Sequence, residues 1–325
     1  MAHYLVTGAA GFIAARVCEM LLDEGHTVTG VDNMCPVYDL RLKEYRLDRL
    51  KARPGFTWKN IDISNWEDVQ NLSGGQAHTD AIINLAARAG VRSSVIDPWA
   101  YINTNITGTV NMLELARRDG IKKFILASSS SVYGSNNPMP FREDANTDQP
   151  MQPYAASKKG AEAMCYAYHF LHQIDVTVFR YFTVYGPAAR PDMAMFRLTQ
   201  WITEEMPVRI NGDGEQSRGF TYVDDIARGT IAGLRPLGYE IINLGGHEVI
   251  KINELVHLLE NKIGNTAEIV HMPMHPADAL GNQADVNKAR VLLGWEPEVN
   301  LREGVGRMVD WYMAERSWVS RVSTE

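Results

Sequence analysis

Up to Tyr181 the chain repeats one pattern: a short apolar run that closes on small or polar residues, then a longer stretch with apolar residues at helical spacing. Residues 3–7 (HYLVT), 26–31 (HTVTGV), 56–61, 80–85 (DAIINL), 123–127 and 176–181 are predicted strands. Phe12, Ile13, Val17, Met20 and Leu21 share one helical face, and residues 101–119 and the stretch around Tyr154 are predicted helices. Residues 40–50 mix both charge signs around apolar positions and read as a solvated helix rather than a binding patch. Strands alternating with helices imply an α/β fold with a doubly wound parallel sheet. Beyond it, 208–210, 218–222, 240–244, 252–263, 267–271 and 301–318 give further strand and helix patterns.

In such a sheet, ligands bind at the carboxyl ends of the strands, and the residues there are informative. The first strand runs into Gly8-Ala9-Ala10-Gly11-Phe12-Ile13-Ala14, a glycine turn opening a helix. Gly8 permits the tight turn, Gly11 lets a pyrophosphate reach backbone N–H groups, and the helix N-terminus adds partial positive charge. Ala14 stands where a third glycine is commoner. The second strand ends in Asp32-Asn33, about 20 residues on, where a carboxylate accepts from an adenosine ribose diol; an acid there repels a 2′-phosphate and selects NAD over NADP. A strand-end Asp capping the next turn is the competing reading. Asp62-Ile63 suit a contact to the adenine edge, and Leu85-Ala86-Ala87 leave room for a cofactor to cross the sheet. The 101–119 helix presents Asn105, Gly108 and Asn111 between apolar positions.

The fifth strand ends in Ser128-Ser129-Ser130-Ser131, hydroxyls that cap backbone groups or donate to a substrate hydroxyl. Tyr154 and Lys158 are four apart, on one helical face, where an ammonium lowers the phenol's pKa and makes it a general base. The same spacing also describes an ordinary surface pair. The phenol, the serines and the nicotinamide are expected at one sheet edge.

Composition narrows the field. The chain has 325 residues, 45% hydrophobic and 22% charged, with net charge −7, which disfavours general attraction to nucleic acid or membrane surfaces. Cys18, Cys35 and Cys165 are odd in number and widely spaced, as in a reduced, cytoplasmic protein. No apolar run approaches the ~18 residues of a spanning helix, and no charged leader precedes the first strand. His169 with His172, and His271 with His275, lack a third ligand at metal spacing, so no metal is expected.

The set TGAAGFIA, VDN, DI, NLAA, NITGT, SSSSVYG, YAASK and RYFTVYGP resembles the extended short-chain dehydrogenase/reductase family, in its nucleotide-sugar epimerase and dehydratase branch. The resemblance implies a tightly held NAD in a Rossmann domain (residues 1–182, with later segments returning to it) and a smaller C-terminal α/β domain, mainly 183–325, for a UDP-sugar. It assigns the catalytic set to Ser129, Tyr154 and Lys158, with Ser130 and Ser131 on the substrate side. Phe12, Ile13, Asn105 and Tyr181 join the cofactor residues. Arg218 matches an arginine for the UDP diphosphate and Asp278 an acid of the nucleotide loop, while Gly219 and Ala277 depart from the usual aspartate and glycine. Helix 101–119 and the Tyr154 helix are expected to form a homodimer surface.

The run FTVYGPAARPDMA resembles that of UDP-glucuronate 4-epimerases, whose pocket holds a carboxylate. Thr183 replaces an asparagine common in neutral-sugar members, and Arg190 supplies either a fork for the carboxylate or one arm of a loop salt bridge. A neutral UDP-sugar 4-epimerase, a decarboxylase and a non-catalytic NAD-binding module are the alternatives. Ser130 and Ser131 replace the Asp-Glu pair of a dehydratase.

Overall fold

The computed structural model describes residues 1–72, 78–273 and 281–324. Its centre is a seven-stranded sheet of β1 (His3–Thr7), β2 (Thr27–Asp32), β3 (Phe56–Asn60), β4 (Ala81–Asn84), β5 (Lys123–Ser129), β6 (Asp175–Tyr181) and β10 (Tyr239–Leu244). The strand order is β10-β6-β5-β4-β1-β2-β3, with every pairing parallel. The order reverses between β1 and β4, and the glycine turn sits at that switch point, where open α/β sheets bind ligands. Both faces are covered, which explains strands such as FILA of β5 that are apolar on both sides. One core holds Val6, Val28, Ile83 and Ile125, and the other holds Leu5, Val31, Ile82 and Phe124.

Gly8 takes φ +74°, and a Cβ on it would lie 2.8 Å from the Ala86 nitrogen, so the turn and the β4 edge approach as only glycine permits. A buried chain braces that approach. Thr7 Oγ1 donates to Asn84 Oδ1 (2.7 Å) and accepts from the Ala86 amide (3.0 Å), and Asn84 Nδ2 donates to Thr109 Oγ1 (3.1 Å).

Most expected elements appear within a residue or two of their predicted ends. Two differ in kind, and one strand crosses between the halves of the chain. Residues 101–119 are interrupted: Pro98–Tyr101 leads into a π-helical turn, Ile102–Thr107, before the α-helix Gly108–Asp119. The turn carries buried Asn105, consistent with the use of such turns at sites. The helix Leu40–Lys51 is not simply solvated, because Lys43 and Arg46 lie on its buried face with Leu42, Leu47 and Leu50. Finally, β10 comes from the C-terminal half yet extends the main sheet beside β6.

Smaller sheets stand beyond the carboxyl edge. One is β11-β9-β7, from β7 (Thr183–Tyr185), β9 (Ser217–Tyr222) and β11 (Glu248–Lys251), and the other pairs β8 (Val208–Asn211) with β12 (Ile269–Met272). The helix Val223–Ala232 carries Asp224 and Asp225 in its first turn. It joins the two regions, with Arg16 of the first helix on Asp224 (2.8 Å) and the Trp295 indole donating to the Asp225 carbonyl (2.7 Å).

Gly219 does not loosen its surroundings. A Cβ there would meet the Gly246 oxygen at 2.6 Å and the Asn282 oxygen at 2.7 Å, and the Gly219 amide donates to the Asn282 carbonyl (3.1 Å) and side chain (2.9 Å). Gly219→Ala is expected to cost about 1–3 kcal/mol by overpacking. A denaturant midpoint equal to that of the parent would show that this contact is not so tight.

Candidate active site

At the cofactor end, the helix Phe12–Asp23 begins at Gly11 without any side-chain cap, so its first N–H groups, those of Phe12 and Ile13 included, point to an anion position. Asp32, at the end of β2, is 7% exposed. Its Oδ1 accepts from Lys43 Nζ (3.0 Å) and the Met34 amide (2.8 Å), which leaves Oδ2 to meet a ribose hydroxyl. Asp32 thus caps a turn as well as facing the cofactor position. Asn33 Nδ2 donates to Asp62 Oδ2 (2.9 Å), and Asp62 Oδ1 accepts from the Ser64 amide and hydroxyl. Burial pushes the Asp62 pKa up, but the hydrogen bonds from Ser64 and Asn33, with the Arg88 charge, outweigh it and hold the pKa below the usual range. The Ile63 side chain is buried against Gly108, and its carbonyl accepts from Asn111.

An uncapped glycine turn, a carboxylate at the second strand end and small residues Ala86 and Ala87 beyond β4 fit an adenine dinucleotide. Leu85, also in that run, packs against the main core. Asn105 holds the same edge from behind: its side chain accepts from the Arg88 amide (2.8 Å) and donates to the Arg88 carbonyl (3.0 Å) and Ser157 Oγ (2.8 Å). The Tyr181 hydroxyl is spent on Thr230 Oγ1 (2.8 Å).

The helix Pro153–His172 brings Tyr154 and Lys158 to the end of β5. Ser129 acts on the Tyr154 phenol in the direction that lowers its pKa, and its own Oγ donates to Ser131 Oγ (3.2 Å). Ser130 opens the turn that follows β5. The Tyr101 ring meets Tyr154 edge-on at 6.0 Å.

One expectation is overturned. Burial raises the Tyr154 pKa above its ordinary value, against opposing contributions from Ser129 and from the Arg190 charge; Lys158 is not among the causes. The Lys158 ammonium instead turns to the Ala127 carbonyl of β5 (2.7 Å). Burial pulls its own pKa down to about 8, and only Glu162 opposes that. The i, i+4 spacing put both groups on one face, but it does not fix where a long lysine side chain ends.

Arg190 behaves as the loop salt bridge. Its Nε and Nη2 donate to Asp192 (3.0 and 2.6 Å), and Nη2 reaches the Ala89 carbonyl at 3.5 Å. Its charge nevertheless acts on the Tyr154 phenol. Thr183 opens β7, with its Oγ1 accepting from Asn282 Nδ2 at 3.4 Å. Arg218 lies on β9 opposite Ile250 and donates to the Ser217 carbonyl. Asp278 and Ala277 fall outside the described residues. His169 and His271 each donate from Nδ1 to a carbonyl, of Ile174 and Gly212 respectively (2.8 Å each).

Sequence reading missed Lys43 and Arg46. Arg46 donates to the Ala10 carbonyl (2.9 Å), the Ala188 carbonyl (2.5 Å) and Tyr38 Oη (2.5 Å), so it ties the glycine turn to the loop that carries Arg190. The available signal was two basic residues on the same stripe as Leu42, Leu47 and Leu50.

A dinucleotide-type glycine turn and a Tyr-Lys helix at one parallel sheet edge define an enzyme of the extended short-chain dehydrogenase/reductase type. The profile of the NAD dependent epimerase/dehydratase family matches residues 4–245, and the chain belongs to that family. It is 53% identical over 312 residues to a UDP-glucuronate 4-epimerase of Thermodesulfobacterium geofontis, covering 96% of each chain. It is 38% identical to a probable UDP-glucuronate 4-epimerase of Rhizobium meliloti, covering 95% of this chain and 96% of that one. Among solved structures, the UDP-glucuronic acid 4-epimerase of Bacillus cereus with UDP-glucuronic acid and NAD superposes with TM-score 0.90 at 36% identity, covering 96% of this chain and 99% of that one. The UDP-glucose 4-epimerase of Thermotoga maritima with UDP-glucose gives 0.89 at 30% identity, covering 97% and 99%.

Lys43 holds Asp32 toward the cofactor position and neutralises a buried carboxylate. Lys43→Met is expected to weaken NAD binding about tenfold, ~1.4 kcal/mol, in a titration of cofactor-stripped protein. Equal affinity would show that the ion pair does not orient Asp32 for the ribose.

Proposed function

We propose that this protein interconverts UDP-glucuronate and UDP-galacturonate by oxidation and re-reduction at the sugar's 4-position. The packing of the Tyr154 helix against the end of β5, which brings the phenol under the influence of Ser129 and of the Arg190 charge, carries this reading. The likeness to the two UDP-glucuronate 4-epimerases and to the Bacillus cereus enzyme supports the choice of sugar. NAD, when bound, supplies the acceptor and donor of the C4 hydride, and its positive ring favours an ionised phenol.

Tyr154 takes the proton from the 4-hydroxyl and returns it, and Ser129 steadies the oxygen by hydrogen bonding to it. Lys158, anchored at the Ala127 carbonyl, holds a buried positive charge at the end of β5, available to a ribose hydroxyl of the bound cofactor. Gly8, Gly11, Phe12, Ile13, Asp32 and Asn33 hold the adenosine and pyrophosphate end, with Asp62 and Ile63 at the adenine. Leu85, Ala86, Ala87, Asn105 and Tyr181 shape the sheet edge. Ser130 and Ser131 line the sugar side, Arg218 and Asp278 the UDP side.

A 4-keto uronic acid is a β-keto acid and loses carbon dioxide readily when its carboxylate stands perpendicular to the ketone plane. In our reading Thr183 and Arg190 hold the carboxylate out of that geometry, with the substrate competing against Asp192 for the guanidinium. Segments up to Phe182, with β10, serve the cofactor and the remainder mainly the nucleotide sugar. Exposed Val95, Ile96, Trp99, Ile102 and Phe170, on the helical elements before and including the Tyr154 helix, suit a homodimer surface. No helix among the described residues is long and apolar enough to cross a membrane. Two of the free thiols, Cys18 and Cys165, are buried, in keeping with a cytoplasmic site.

Tyr154→Phe is expected to lower turnover at least ~100-fold, the scale of general acid–base catalysis, with NAD still bound. Retained turnover would remove Tyr154 from the role of base. Arg190→Ala is expected to weaken UDP-glucuronate use and to release more UDP-pentose. An unchanged product ratio and affinity would reject the clamp.

A further inference from the structure

The helix Pro153–His172 carries a third polar residue on the stripe of Tyr154 and Lys158: Glu162, one further turn along. Glu162 and Arg180 are each 2% exposed. Their pairing is bidentate, with Arg180 Nε on Oε1 (3.0 Å) and Nη2 on Oε2 (2.9 Å). Oε1 also accepts from Ser128 Oγ (2.6 Å). Ser128 stands between Ala127, whose carbonyl takes the Lys158 ammonium, and Ser129, which acts on the Tyr154 phenol.

One carboxylate therefore fastens the reactive helix to β5 between the two contacts on which the site depends. We propose that Glu162 is a positioning residue for catalysis, tying Ser128 and Arg180 to the helix so that Lys158 and Ser129 stay in place, and acting as the counter-charge of the Lys158 ammonium. Arg180 is held on its other side, its guanidinium 4.8 Å from the Tyr133 ring centroid. Tyr133 in turn donates to Asn243 Oδ1 (2.6 Å) on β10. The tie thus reaches from the catalytic helix through β6 to the strand contributed by the C-terminal half.

The ionisable groups packed about this stripe are Tyr154, Lys158, Glu162 and Cys165 on the helix, Arg180 on β6, Tyr133 and Glu143 after β5, Tyr101 and Arg190 beside Tyr154 and Tyr239 on β10. Among them Glu162 acts on the Lys158 ammonium, whose pKa burial lowers to about 8. Removing the Glu162 charge leaves two buried cations, Lys158 and Arg180, without their carboxylate. The folded lysine then loses its proton at still lower pH, and the charged form that donates to the Ala127 carbonyl disappears earlier on the alkaline side.

The inference rests on the proposed 4-position chemistry but not on the sugar, because the profile is measurable with any UDP-sugar that the enzyme turns over. For Glu162→Gln, the alkaline limb of the kcat profile is expected to move down by about one pH unit or more, with KM little changed. Ser128→Ala keeps the charge and removes the strand tie; kcat is expected to fall several-fold with KM and the alkaline limb unmoved. An alkaline limb coincident with that of the parent in folded Glu162→Gln overturns the counter-charge, and an unchanged kcat in Ser128→Ala overturns the tie. Should Glu162→Gln fail to fold, Ser128→Ala alone decides the positioning role.

Discussion

The structure depends on how one polar helical stripe is buried against the end of β5. Lys158 and Glu162 are buried there and Tyr154 is half-buried, and each is answered by the strand or its neighbour: Ser129 for the phenol, the Ala127 carbonyl for the ammonium, Ser128 and Arg180 for the carboxylate. Breaking a buried ion pair on one side costs about 3–5 kcal/mol, so the Glu162–Arg180 pair helps fix the helix in register against β5 and β6. Burial also sets the chemistry. It holds the phenol neutral and brings the lysine toward neutrality, so that a tyrosine base is available only when further positive charge arrives beside it.

Two further charges shape that environment, and each is placed by backbone geometry. Arg190 follows Ala188, which adopts φ +54°, an uncommon conformation for a residue with a side chain. Arg46 grips the Ala188 carbonyl from the opposite side of the site while holding the Ala10 carbonyl of the glycine turn. A single buried guanidinium thereby couples the cofactor turn to the loop whose arginine faces the phenol. At the other end, Lys43 and Asp32 do the same for the adenosine position. The cofactor and sugar regions are consequently joined by charged side chains as well as by the shared sheet.

Much of this was legible in the chain. The strands of the main sheet are short apolar runs ended by glycine, aspartate or serine, and their order with the helices leaves little freedom of topology. The glycine turn, Asp32 and the Ser129, Tyr154 and Lys158 set carried the site because each is local. What escaped depends on distant partners. Arg46 looked solvated, since nothing nearby shows that Ala188, more than a hundred residues on, will offer it a carbonyl. Lys158 was expected to face the phenol, but its long side chain found Ala127. The fork of Arg190 was open to a carboxylate or a loop partner, and the spacing could not show that Asp192, two residues away, pairs with it in this structure. The switch to a π-helical turn at Ile102–Thr107 has no counterpart in apolar spacing.

The central claim is that a hydride leaves the sugar's 4-carbon and returns to that same carbon inside one closed pocket, while Tyr154 handles the proton of the attached oxygen. UDP-glucuronate deuterated at C4, incubated in ordinary water and followed by NMR and mass spectrometry, tests this most directly. The account predicts UDP-galacturonate that retains its deuterium at C4. Epimer formed with loss of the label to solvent, or no epimer at all, would contradict it.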